Sequence, residues 1–133
     1  MDGRVHLYDI YRRESDTTDP HYTSGSAPGR RFGGTKPLFI LTSHKTYSCA
    51  EGFTYALRGL ARVTIVGETT GGGAHPVSER QLDQKFMIRI PAGKVIVPNL
   101  EGDWEGSGIE PEVKVAVYSN PSIGEAQLTG TIR

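Results

Sequence analysis

Ser48 stands three positions before Glu51, where the polar stretch Thr42-Ser-His-Lys-Thr-Tyr-Ser48 gives way to a segment of helical apolar spacing. A serine at a strand-to-helix turn can do two different things. It can cap the helix, with its side chain accepting from the Glu51 N–H and the Glu51 carboxylate accepting from the serine N–H, the capping-box pattern. It can also act as a nucleophile, because the first helical turn presents unpaired N–H groups and partial positive charge where an oxyanion would form. The N–H of Cys49 is the natural donor for that oxyanion. Local pattern alone favours the cap.

A nucleophilic serine needs a base, usually histidine or lysine, to take its proton at neutral pH. Of the four histidines, His44 lies four residues before Ser48 across the turn, and His75 follows Gly71-Gly-Gly73 and reaches Ser48 only if that loop folds back. Neither spacing is diagnostic, since a loop histidine is more often solvated or structural. Glu105, within Trp104-Glu-Gly-Ser-Gly108, is either the acid that orients a histidine or one exposed carboxylate in a charged loop. Trp104 reads equally as an anchor for that loop. The glycine triplet lacks the Lys-Ser/Thr of a P-loop and the spacing of a dinucleotide fingerprint, so a nucleotide site is rejected. Its glycines instead permit positive φ or a close approach of backbone to a peptide or to the helix.

The elements that must position these residues follow from periodicity. Val5–Tyr11 alternates and predicts a strand; residues 12–36 are polar and turn-rich and predict a long surface loop, with the excursion proper at Ser15–Gly34. Pro37–Thr42 is a continuous apolar run and predicts a central strand buried on both faces. Ala50, Phe53, Ala56, Leu57 and Leu60 form one apolar helical face, ended near Gly59. Val63–Val66 predicts a second strand parallel to the first, since a strand, a helix and a strand with short joints form a crossover unit. Phe86–Ile90 and Val95–Val97 predict a hairpin around Pro91-Ala-Gly93, and Val113–Val117 a last strand. Glu125–Leu128 could start a short helix, within a weakly patterned tail over 118–133.

The 133 residues, 36% hydrophobic, suffice for one domain. Fifteen basic residues balance fifteen acidic ones, so no field recruits nucleic acid or an anionic membrane, and no apolar stretch is long enough to span a bilayer. The lone Cys49 closes no internal disulfide, no Cys/His group has zinc spacing, and the compartment stays open.

Several separated motifs carry a resemblance. They are Pro37-Leu-Phe-Ile-Leu-Thr-Ser-His-Lys-Thr-Tyr-Ser-Cys-Ala-Glu-Gly-Phe-Thr-Tyr-Ala-Leu57, Arg62-Val-Thr-Ile-Val-Gly-Glu-Thr-Thr-Gly-Gly-Gly-Ala-His-Pro76, Ile90-Pro91, Val97-Pro98 and Trp104-Glu-Gly-Ser-Gly-Ile-Glu-Pro-Glu-Val113. In their order and over roughly residues 4–117 they resemble peptidase family S41, the tail-specific or C-terminal processing peptidases, and in particular its branch similar to the interphotoreceptor retinoid-binding protein. The resemblance implies an α/β, ClpP/crotonase-like core, here incomplete, with the chain as the C-terminal portion of a catalytic domain. It places the nucleophile on Ser48, with Cys49 where the family has alanine, and matches Glu105 to an acid that orients a base. Members with a Ser-Lys dyad carry their lysine at the position of Gly73, which argues against that mechanism here, and the base histidine of the other branch has no counterpart that aligns.

The implied activity is peptide-bond hydrolysis through an acyl-enzyme on Ser48, with a peptide or protein substrate and no metal or organic cofactor. The isolated chain is expected to be nearly inactive without upstream residues. The alternatives are a catalytically inactive module that binds apolar ligands or peptides, and a fragment completed by a partner chain. An incomplete sheet would also leave an unpaired edge that favours self-association.

Overall fold

A computed structural model describes residues 3–26, 28–30, 32–119 and 126–128. At its centre is a parallel sheet in the order β3-β4-β8, formed by β3 (Phe39–Thr42), β4 (Thr64–Gly67) and β8 (Val113–Lys114). Helix α1 (Cys49–Gly59) connects β3 to β4. The two strands pair from Phe39 opposite Thr64 to Thr42 opposite Gly67. This strand–helix–strand unit is the one the apolar run and the helical spacing predict, and it delivers Ser48 to the start of α1.

The middle position belongs to β4, not to β3. Ile65 and Val66 are buried, whereas Phe39 and Leu41 are 54% and 59% exposed. The expectation that Pro37–Thr42 is buried on both faces is therefore corrected. Among the described residues β3 pairs on one side only, so a continuous apolar run here marks an edge strand with an apolar face open to solvent.

The helix also packs by a different face from the one its apolar residues suggest. Its buried positions are Glu51, Thr54, Tyr55 and Ala56, while Phe53 is 61% exposed. Hydrogen bonding draws Glu51 inward and turns Phe53 out. The helix ends in a Schellman arrangement: Arg62 N–H donates to Leu57 O at 3.0 Å and Ala61 N–H to Arg58 O at 2.8 Å, with Ala61 at φ 49. Gly59 thus does not supply the left-handed residue. Its lack of a side chain admits Val97 and Pro98, whose atoms would lie 2.7 and 2.9 Å from a Cβ.

A second sheet, β2-β1-β7, is antiparallel and comprises β1 (His6–Arg12), β2 (Thr17–Tyr22) and, from later in the chain, β7 (Gly93–Ile96). β2 lies inside the stretch expected to be loop. Its sequence, Thr-Thr-Asp-Pro-His-Tyr, is polar because it is a largely exposed edge, and Pro20 is tolerated there since an edge strand has one unpaired side. The expected hairpin of Phe86–Ile90 with Val95–Val97 is likewise corrected. β6 (Met87–Pro91) pairs with β5 (Val77–Gln81), while β7 pairs with β1. Asp83 closes the β5–β6 turn, its Oδ1 accepting from the N–H groups of Lys85 and Phe86 at 2.7 and 2.9 Å. Ala92 hands the chain from one sheet to the other, donating to Pro76 O and accepting from Arg13 N–H.

β9 (Val117–Ser119) pairs antiparallel with β10 (Ala126–Leu128), so the expected helical start at 125–128 is a strand over 126–128, and Glu125 lies outside the described residues. The core gathers Tyr55 of α1, Ile65 of β4, Ala74, Val97, Trp104 and Ile109. Trp104 is 2% exposed and stacks at a tilt on Tyr55, ring centroids 4.8 Å apart, so it anchors its loop as expected. Among the described residues no helix is long and apolar enough to cross a membrane.

Candidate active site

Three loops converge on the N-terminal end of α1: the turn 43–48, the glycine-rich segment 67–76 and the loop 103–109. Thr42, at the end of β3, ties the first two together. Its Oγ1 donates to Glu68 O at 2.8 Å and its carbonyl accepts from Glu68 N–H at 3.0 Å. Gly71 N–H then donates to Thr46 O at 2.8 Å, and Gly106 N–H to Gly72 O at 2.9 Å, which brings in the third loop.

Ser48 sits at the joint with φ 55 and ψ −119. That conformation is sterically disfavoured for any residue with a Cβ and costs about 1–3 kcal/mol unless its surroundings impose it. They do so through Glu51. One of its oxygens accepts from Ser48 N–H at 2.7 Å and Gly73 N–H at 2.9 Å, the other from Thr70 Oγ1 at 2.5 Å and Gly72 N–H at 2.7 Å. Glu51 is fully buried. Burial by itself would raise its pKa, but these four hydrogen bonds outweigh it and hold the carboxyl below its ordinary value. Thr70 extends the chain, its Oγ1 also accepting from Ile109 N–H at 2.7 Å. In the sequence Glu51 reads as a cap; its role as the buried link between helix and glycine loop carries no local signal.

Ser48 and Cys49 are both exposed. Ser48 Oγ lies 4.0 Å from Cys49 Sγ. The Cys49 N–H donates to no acceptor among the described residues, as expected for the first residue of a helix.

The two candidate histidines sit elsewhere in the hydrogen-bond network. His44 is 72% exposed and its Nδ1 lies 3.1 Å from Glu68 Oε2. His75 Nε2 lies 3.0 Å from Asp103 Oδ2 and its Nδ1 3.8 Å from Glu105 Oε2. Glu105 Oε2 itself accepts from Ala74 N–H at 2.6 Å and His75 N–H at 3.0 Å. The structure thus brings Glu105 and His75 together, with Asp103, absent from the sequence-based candidates, as the closer acid. Burial pushes the Asp103 pKa up, while the Glu105 N–H and His75 pull it below its ordinary value, and the second effect wins. Neither histidine ring is within hydrogen-bonding distance of Ser48 Oγ among the described residues. Position 73, a glycine, offers no side chain.

Beside the turn lies an open cleft of about 460 Å³, walled by Ile40 and Leu41 of β3, by Tyr47, and by Ala50 and Phe53 of α1, with Lys45 at its lining. Among the described residues no group of histidine, cysteine and carboxylate side chains could hold a metal ion.

Comparisons with known proteins converge on one family. A family model described as peptidase family S41 matches residues 4–115. Over 81 residues, 60% of the chain, the sequence is 31% identical to the carboxy-terminal processing protease CtpA of Bacillus subtilis. Over 80 residues it is also 31% identical to the chloroplastic carboxyl-terminal-processing peptidase 1 of Arabidopsis thaliana. The chain spans 17% and 16% of the lengths of these relatives. Among solved structures, the photosystem II D1 C-terminal processing protease superposes on 87% of the chain with a TM-score of 0.66 at 22% identity, a likeness of fold that takes in 28% of that protein. A protein from Parabacteroides merdae superposes on 89% of the chain with a TM-score of 0.63 at 27% identity, taking in 38% of its own length.

Proposed function

The chain belongs to peptidase family S41, and from that premise we propose that it carries the nucleophile of a serine peptidase, Ser48, in a core of the ClpP/crotonase-like type. The observation that carries this reading is the Ser48 backbone, held at φ 55 and ψ −119 between a strand and a helix. A plain N-cap has extended backbone angles and needs no such strain. A serine raised on a strained strand-to-helix turn is the arrangement that exposes a nucleophile at the helix N-terminus.

In the proposed reaction Ser48 Oγ attacks the carbonyl carbon of a peptide bond and gives its proton to a general base. The carbonyl oxygen becomes an oxyanion held by the Cys49 N–H. Collapse of the tetrahedral species breaks the C–N bond, the leaving amine takes the proton from the base, and an ester to Ser48 remains for water to hydrolyse. Glu105 is proposed to hold the segment at Ala74–His75 and to orient the base side of the site. The carboxyl-terminal-processing names of the similar proteins suggest a protein substrate cut near its C-terminus.

The base is proposed to come from outside the residues that now surround Ser48. Both His75 nitrogens face carboxylates, His44 leans on Glu68, and Gly73 has no side chain. The isolated 133-residue chain is therefore expected to turn over peptides at a rate near background. Fluorogenic-peptide hydrolysis by this chain that disappears in Ser48→Ala would contradict that expectation. The open apolar cleft beside Tyr47 favours a second reading, a module that binds apolar ligands or peptides without cutting them. Tight binding of an apolar peptide by a gene product whose Ser48 is inert to acylating reagents would establish it instead.

A further inference from the structure

Gly71 and Gly73 do not have positive φ, unlike Gly72 between them at φ 83. Backbone conformation therefore does not require glycine at these two positions. Space does. A Cβ on Gly71 would lie 2.7 Å from Tyr47 Cδ2, and one on Gly73 would lie 2.3 Å from Tyr47 Cζ and 2.6 Å from its hydroxyl oxygen. The ring of Tyr47 lies along the bare backbone from 71 to 73, in the volume that side chains there would occupy.

Tyr47 immediately precedes Ser48, and the backbone beneath its ring is the same segment that Glu51 and Thr46 hold. Gly71 N–H donates to Thr46 O, and Gly72 and Gly73 donate to the carboxylate that also receives the Ser48 N–H. Ser48 thus has Glu51 on its own N–H and, in the residue before it, a ring lying against the loop that Glu51 also holds. The ring is 59% exposed, so burial alone does not explain its placement. We propose that Tyr47 is a positioning residue whose ring, seated on Gly71 and Gly73, holds the Ser48 backbone in its strained conformation. Its role in catalysis rests on the reading of Ser48 as the nucleophile; its effect on the Ser48 backbone does not.

The test compares Tyr47→Phe, Tyr47→Ala and Gly73→Ala in the protein at the full length its gene encodes. Gly73→Ala keeps the ring but evicts it from its seat, and because the atoms it strikes are the outer end of an exposed side chain, the fold can absorb the change. Two readouts are taken: the Ser48 13Cα and 13Cβ chemical shifts, which report the sign of φ, and the rate of fluorophosphonate labelling at Ser48 per folded molecule. Tyr47→Phe should match the parent in both. Tyr47→Ala and Gly73→Ala should move the Ser48 shifts away from positive φ and slow labelling on the order of 10- to 100-fold, the effect of a misplaced reacting atom. Their urea midpoints should stay close to the parent. Unchanged Ser48 shifts in both variants would overturn the proposal. If the parent protein itself is not labelled, the nucleophile reading fails, and the chemical shifts still decide the role of Tyr47. If Tyr47→Ala does not fold, Gly73→Ala decides it.

Discussion

The Glu51 carboxylate accepts the Ser48 N–H at 2.7 Å from a fully buried position in the first turn of α1. The same carboxylate closes three further hydrogen bonds to Thr70, Gly72 and Gly73, so one side chain fixes both the helix start and the loop that faces it. Glu51→Gln replaces two acceptor oxygens by one and turns an amide N–H₂ toward N–H donors. A hydrogen bond to a charged group is worth about 1.5–3 kcal/mol and an unsatisfied buried donor costs a similar amount, so the variant should lose about 3 kcal/mol of stability. Urea denaturation measures this; a loss below about 1 kcal/mol would show that the buried carboxylate is not what holds the loop.

The same site sets a pH dependence. Glu51 is held below its ordinary value of 4.5, so its contribution to stability is complete above that value and is lost as pH falls through the lower folded-state pKa. Asp103, also depressed, adds in the same direction below its ordinary value of 3.8. Thermal midpoints should therefore be flat with respect to these two groups near neutrality and fall in acid, and Glu51→Gln should flatten part of the acid limb. An acid limb identical in Glu51→Gln would contradict the assignment.

Ser48→Gly tests the strain directly. Glycine adopts φ 55 and ψ −119 without a Cβ clash, and it costs only a few tenths of a kcal/mol as a cap relative to serine. The variant should be about 1 kcal/mol more stable than the parent while losing all Ser48-dependent chemistry. Ser48→Ala keeps the Cβ and should gain nothing. Equal or lower stability for Ser48→Gly, measured by urea unfolding, would mean the joint is not strained.

What the sequence shows and hides follows from where burial lies. The β3–α1–β4 unit is legible because an apolar run, a helically spaced segment and a β-branched run follow one another with short joints, although only β4 buries most of the apolar residues that mark it. β2 and β5 are not legible, since Thr-Thr-Asp-Pro-His-Tyr and Val-Ser-Glu-Arg-Gln belong to exposed antiparallel hairpins held by backbone pairing rather than by a buried face. The inward helix face is misjudged because hydrogen bonds bury Glu51 and Thr54 while Phe53 faces the cleft. Ser48 and Glu105 stand out by their motifs. Asp103 and the Tyr47–Gly73 contact do not, because they join residues 26 to 28 positions apart through loops that only the folded chain brings together.

Thr70 tests the link from this site to the core. Its hydroxyl donates to Glu51 and accepts from Ile109 N–H, and both partners are buried. Thr70→Val conserves shape but leaves the buried Ile109 N–H without its acceptor and takes from one Glu51 oxygen a donor, leaving it only the Gly72 N–H, and should cost about 2–3 kcal/mol. Thr69→Val, next to it, serves as the control and should change stability by less than about 0.5 kcal/mol. Equal effects at the two positions would remove Thr70 from the network.

Covalent mapping separates Ser48 as a nucleophile from Ser48 as a helix cap. The protein at the full length its gene encodes is treated with a fluorophosphonate, digested, and read by mass spectrometry beside its Ser48→Ala variant. A single phosphonyl adduct is expected on the peptide containing Ser48, absent from the variant. No Ser48-dependent adduct, in a protein shown to be folded, would contradict it.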